Sequence, residues 1–236
     1  DLTQLYFRHL AQLADESPAI AFTHGKGSLL YDIEGKEYID FISGISVSSF
    51  GHNNPKIIQA AKHQLDKHLH IMVFGEQIIS PQVLLAKRIS DSLPNSLSNV
   101  YFTNSGTEAI EGAMKLAKRF TGKTKIIATK NAYHGSTQGA LSIMGNEFFK
   151  QAFRPLLPDV EFIEFNDIED IDRIDNKTAC VILEPIQSES GYKPASFEFL
   201  KSMRQKCDET STLLIFDEVQ SGMGRTGKLF AFEHFN

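Results

Sequence analysis

Apolar and polar positions alternate along this chain in two different rhythms. Up to about residue 95 the apolar residues recur mainly at helical spacing. Leu5, Leu10 and Leu13 fall on one side of a short helix within residues 1–18. Ile57, Ile58, Ala61, Leu65 and Leu69 mark a second helix, opened by Asn54 as N-cap and Pro55 at the first helical position. Ser80–Pro81 opens a third, carrying Val83, Leu84 and Ile89 and stopped by "LPNS". Between the first two helices, "GSLLYDIEGKEYIDFIS" predicts two short strands around a turn at Glu34–Gly35–Lys36, and the glycine-dotted "SGISVSSFGHNNP" predicts a loop.

From residue 100 the rhythm changes. VYFT, KIIAT, VEFIEF, ACVILEP and TLLIFDE are short, nearly continuous apolar runs separated by helical patterns or long loops. Such runs suit parallel strands buried on both faces, so the expected class is a doubly wound α/β domain. In such sheets the sites lie beyond the carboxyl ends of the strands. The expected division is residues 1–45 as a segment of a smaller α+β domain and residues 46–236 as the large domain.

The stretch after VYFT carries the first chemistry. "NSGTEAIEGAMKLAKRF" places Ser105 and Glu108 as a capping box, followed by a helix whose buried face should comprise Ala109, Ile110, Ala113, Met114, Leu116, Ala117 and Phe120. Gly106 permits another group to approach the backbone closely. The free N–H groups of residues 105–107 and the positive end of the helix dipole suit an anion, a phosphate above all. A merely well-capped helix explains the same letters equally well. Three companions shift that balance. Asp217 follows a buried run, where a carboxylate is costly without a cationic partner such as a pyridinium nitrogen; on its own it could instead cap the next element or pair with an arginine such as Arg225. Tyr133, in "NAYHGST", stands in a loop after a strand and can stack on a flat heterocycle, or simply pack at the loop base. Glu184 and Glu189, in "CVILEPIQSESGY", form the third; Glu184 alone could be a structural acid. A phosphate cradle, a stacking aromatic and a buried acid at the ends of one sheet are the parts needed to hold pyridoxal 5'-phosphate (PLP).

The same motifs carry a resemblance. "GKEYIDFISGISVSSFGHNNP", "NSGTEAIEGAMKLAKR", "YHG", "EPIQSESG" and "DEVQSGMGRTG", in this order, resemble the class III aminotransferases, the ornithine, acetylornithine and 4-aminobutyrate branch of fold type I. The resemblance implies that Ser105, Gly106 and Thr107 hold the PLP phosphate and that Tyr133 and Val219 pack on the two ring faces. It also implies that Asp217 pairs with the ring nitrogen, that Gln220 bonds the ring 3-oxygen, and that Glu189 lies near the substrate. Expected substrates are an amine or ω-amino acid donor and a keto acid, with 2-oxoglutarate/glutamate as one pair; the expected assembly is a homodimer. Ser136 stands where acetylornithine and 4-aminobutyrate enzymes carry arginine, and it cannot supply a bidentate cationic fork. The attachment lysine would fall roughly 30 residues beyond Asp217, and Lys228 stands too early to match. The apolar ending "KLFAFEHFN" lacks a cap or closing turn. The expectation is therefore a longer parent enzyme, with no transamination by this chain alone. An aminomutase and a non-catalytic chain remain as rival readings.

Composition narrows the field. Of the 236 residues, 42% are hydrophobic and 22% charged, the balance of a soluble globular protein. A net charge of −5 gives no basic field for nucleic acid or anionic membranes. No apolar run reaches the roughly 18 residues of a membrane span. The N-terminus lacks a signal-peptide pattern, and Cys180 and Cys207 have no metal or redox spacing, so a cytoplasmic setting is expected. "GMGRTG" (Gly222–Gly227) matches a dinucleotide fingerprint in letters only, because DEVQS separates it from its strand. His68 and His70, expected on a helix, do not share a face. "NDIEDIDRIDNK" lacks the calcium-loop spacing, so it is expected to be a solvated face over Ile168, Ile171 and Ile174.

Overall fold

In the computed structural model, residues 2–12, 20–72 and 75–235 are described. Leu13, assigned above to the first helix, lies outside them. The chain forms two compact units, Asp1–Arg88 and Ile89–Asn236.

The first unit opens with α1 (Leu2–His9). Strands β1 (Phe22–Lys26), β2 (Leu29–Asp32) and β3 (Glu37–Ile39) form an antiparallel sheet. The expected turn joins β2 to β3, where Asp32 accepts bonds from the Glu34 and Lys36 N–H groups at 2.9 Å each. The expected loop contains one left-handed turn, α2 (Ser43–Ser46), with all four residues at positive φ. Its entry is held by Asp40, which accepts from Ser43 N (2.7 Å) and pairs with His52 Nε2 (2.6 Å); these contacts keep the Asp40 carboxyl below its usual range. Helix α3 (Pro55–Leu65) starts as expected, with the Asn54 side chain accepting from Lys56 N. It ends at Leu65, so His68, Leu69 and His70 lie beyond it. Helix α4 (Ser80–Asp91) begins at Ser80 as read, and the two compact units divide within it.

The second unit holds a four-stranded parallel sheet of β4 (Lys125–Thr129), β5 (Val160–Ile163), β6 (Thr178–Leu183) and β9 (Leu213–Phe216), in the order β5-β4-β6-β9. Short α6 (Gln138–Ser142) and α7 (Glu147–Lys150) follow β4, and the small ladder β7 (Ile186–Gln187) with β8 (Lys193–Pro194) follows β6. Helix α5 (Gly106–Thr121) covers one face, with Ile110, Met114 and Ala117 against Ile126, Ala128, Cys180 and Ile182. Helix α8 (Phe197–Thr210) covers the other, with Phe199, Met203 and Cys207 against Ile127, Ile163, Val181 and Leu183. Alternate residues of β4 and β6 thus point into opposite cores, and every residue of β6 is buried, which is why these runs are continuously apolar.

Three expectations fail here in whole or in part. VYFT (100–103) forms no strand: none of its backbone enters a ladder among the described residues, and the Tyr101 ring lies against Gly112 of α5. On α5, Ala109, Leu116 and Phe120 are exposed, the last two at 65% and 76%, because the helix buries only its i, i+4, i+7 stripe of Ile110, Met114 and Ala117. In the acidic run, Ile171 and Ile174 are buried beneath exposed acids as read, while Ile168 is exposed. Among the described residues no helix is long and apolar enough to cross a membrane, and no His/Cys/Asp/Glu group could hold a metal ion.

Candidate functional site

Three strands of the parallel sheet end in polar groups that meet. Register pairs Leu183 with Phe216, so Glu184 and Asp217 leave β6 and β9 side by side. The loop after β4 brings in Tyr133, His134 and Gly135.

Asp217 is 7% exposed, and both of its oxygens are engaged. Oδ1 accepts from Val219 N at 3.0 Å, and Oδ2 meets His134 Nδ1 at 2.7 Å. Of the readings open for Asp217, a cap of the next element is present in the Val219 N contact, and the chain adds His134 as a second partner. With Nδ1 engaged, His134 Nε2 is left buried and, among the described residues, without a hydrogen-bond partner. The sequence reading missed this histidine, although it stands beside Tyr133 in the quoted "YHG".

Val219 returns to the start of α5. Ser105 is the extended N-cap residue and accepts from Glu108 N at 3.3 Å. Glu108 reaches back to Asn104 N (2.8 Å), one residue earlier than a standard capping box. Among the described residues, the N–H groups of Gly106 and Thr107, in the first turn of α5, have no acceptor and can serve an external one. A Cβ on Gly106 would stand 2.9 Å from both Val219 methyl carbons, so the close neighbour that this glycine admits is Val219.

A second strap ties the β4 loop to α5. Thr107 Oγ1 bonds Thr137 Oγ1 at 2.7 Å and accepts from Thr137 N at 3.2 Å. Gly135 sits at φ +125°, and any Cβ there would collide with Thr107. Glu111 accepts from Thr137 Oγ1 (2.6 Å), Gly139 N (2.8 Å) and Ala140 N (3.0 Å), capping α6. Glu111 was also missed; its sole signal was an acid on the buried side of an amphipathic helix.

Glu184 is 6% exposed. It accepts from Tyr133 N at 3.4 Å and Ser188 Oγ at 3.2 Å. Burial, only partly offset by His134, pushes its carboxyl up to about 7. The exposed Tyr133 side chain bonds Ser136 Oγ at 3.2 Å.

The structure therefore joins Gly106 to Val219 and Val219 to Asp217 through direct contacts, and ties Thr107 to Gly135 and Thr137 of the loop that carries Tyr133, with Ser105 capping the same helix start. Glu189 is exposed in the loop that Ser188 ties to Glu184. Gln220 is half-buried next to Val219. Lys228 lines a different feature, a cavity of about 700 Å³ among Phe197, Leu200, Phe216 and Phe232.

This arrangement fits a planar, phosphorylated heterocycle bearing a basic nitrogen. It offers open helix N–H groups for the phosphate and a buried acid, already oriented by two donors, for the nitrogen.

Comparison with known proteins bears on the same point. The family model described as "Aminotransferase class-III" matches residues 11–236. A [LysW]-aminoadipate semialdehyde/glutamate semialdehyde transaminase from Sulfolobus acidocaldarius is 46% identical, the match covering 92% of this chain and 56% of that one. An acetylornithine aminotransferase from Methanopyrus kandleri is 43% identical, covering 91% and 55%. The ornithine aminotransferase structure from Toxoplasma gondii, described with partial occupancy of PLP at its active site, superposes with a TM-score of 0.86 at 29% identity, covering 100% of this chain and 56% of that one. The chain thus spans about half the length of the relatives it matches, and its fold is the α/β fold type I of PLP-dependent transferases.

Proposed function

The chain belongs to the class-III aminotransferase family, and from that premise we propose that it binds PLP at the carboxyl edge of its parallel sheet. In the whole protein this site moves an amino group between an amine or ω-amino acid and a keto acid, with 2-oxoglutarate/glutamate as one pair. The observation that carries the reading is Asp217: a buried acid at a strand end, oriented by His134 and Val219 N, within one contact network with the start of α5.

Bound PLP supplies a protonated ring that withdraws electrons from the substrate carbon. The chain's residues do the rest. Ser105, Gly106 and Thr107 take the phosphate, helped by the dipole of the 16-residue α5. Tyr133 and Val219 cover the two ring faces. Asp217 holds the proton on the ring nitrogen, and His134 holds Asp217. Gln220 bonds the ring 3-oxygen, and Glu189 stands toward the substrate. Residues 218–236 contain Lys228 as their single lysine, and its place in the Phe-lined cavity argues against its being the attachment lysine. Because the chain spans about half the length of the relatives it matches, turnover is assigned to the whole protein. That protein is read as a homodimer on the family resemblance, with residues 1–45 in a small domain and residues 46–236 in the large one. A cytoplasmic setting accords with the buried free thiols Cys180 and Cys207.

The 43% identity to an acetylornithine enzyme favours that donor as a second reading; Ser136 counts against it. Two measurements test the proposal. PLP added to the protein should give saturable binding with a shifted absorbance, and a donor panel with 2-oxoglutarate should yield glutamate from the whole protein. Failure to bind PLP overturns the proposal. A panel dominated by acetylornithine overturns the weight placed on Ser136.

A further inference from the structure

The Asp217–His134 pair does not use the neighbouring acid, yet Glu184 is as deeply buried as Asp217. The two leave register-paired strands side by side. Among the described residues two groups bond Glu184, and each belongs to a loop of the site. Tyr133 N comes from the loop that carries the stacking aromatic and His134. Ser188 Oγ comes from the loop that carries Glu189. Both bonds are long and neutral, at 3.4 and 3.2 Å, which is weak support for a buried charge. Of the titratable groups facing Glu184, His134 favours its charge and Asp217 opposes it, and burial opposes it most.

We propose that Glu184 is a positioning residue that keeps a proton inside this cluster, so that Asp217 is the single carboxylate facing His134 and the ring nitrogen of bound PLP. In this state Glu184 still accepts from Tyr133 N and Ser188 Oγ, and it holds both loops without adding charge. Loss of its proton to solvent sets a second anion beside Asp217. The two carboxylates then compete for His134, the Asp217–His134 bond loosens, and the grip on the ring nitrogen weakens. The cluster therefore senses pH through Glu184, whose carboxyl is raised to about 7. The effect on cofactor affinity rests on the PLP reading above; the protonation itself does not.

The test has two arms. Difference infrared spectra of cofactor-free protein with isotope-labelled glutamate, taken across neutral pH, should show a protonated carboxyl band. That band should titrate near pH 7 and be missing in Glu184→Gln, whose neutral amide imitates the proposed state. PLP affinity should fall severalfold across the same range in the wild type, stay flat in Glu184→Gln, and titrate again in Glu184→Asp. A wild-type protein without the band, or a band that survives in Glu184→Gln, overturns the proposal; so do superimposable affinity profiles. If no variant binds PLP at any pH, the cofactor reading fails, and the infrared arm alone then decides whether Glu184 keeps its proton.

Discussion

At the carboxyl edge of the sheet, two acids on adjacent strands are held in opposite ways. Asp217, after β9, receives an imidazole at 2.7 Å and a backbone N–H at 3.0 Å. Glu184, after β6, receives only a backbone N–H at 3.4 Å and a hydroxyl at 3.2 Å among the described residues. Burial is nearly the same, so donors and charge, not depth, separate their roles. One position is furnished to carry a charge and the other to do without one. A pair of unlike acids lets a site fix a cation without placing two like charges together.

The largest expected effect comes from removing the well-held acid. Asp217→Ala leaves His134 Nδ1 and Val219 N without their acceptor, and stability measured by urea unfolding should drop by about 4 kcal/mol. Next comes the pH dependence of the poorly held acid. The folded chain keeps the Glu184 proton between 4.5 and about 7, where the unfolded chain has released it. Stability contributed by this group is thus full below that window, falls as pH rises through it, and levels off above it. The total loss is at most about 3 kcal/mol, and Glu184→Gln should remove the slope. Smaller is Gly106→Ala, which forces Val219 aside; a cost of about 1–2 kcal/mol is expected, reduced when Val219→Ala is added. Smallest is Ser105→Ala, which removes the N-cap acceptor of α5 for about 1 kcal/mol in a thermal melt.

The sequence made much of this legible, and for definite reasons. β4, β6 and β9 were readable because both faces of the sheet are covered and their runs are therefore nearly continuously apolar, while edge strand β5 was readable although exposed Glu161 interrupts its run. α3 and α5 were readable from Asn54–Pro55 and Ser105, whose caps the structure retains. VYFT misled because strand propensity in four residues cannot supply a ladder partner. Leu116 and Phe120 misled because apolar letters at helical spacing do not say which stripe has a neighbour. Gly106 could be read as a place of close approach, but Val219, 113 residues on, had to be brought to it by the fold. The Asp217–His134 contact spans 83 residues and Glu111 caps α6 across 28, so no local pattern announces either. The unlike treatment of Glu184 and Asp217 was invisible for the same reason: in sequence both are acids after apolar runs.

The most direct test of the central claim is the ¹⁵N resonance of the ring nitrogen of labelled PLP bound to the protein, compared between wild type and Asp217→Asn. The account predicts a protonated nitrogen in the wild type and an unprotonated one in Asp217→Asn. An unprotonated nitrogen in the wild type, or a protonated one in both, would contradict the assignment of Asp217 as its partner.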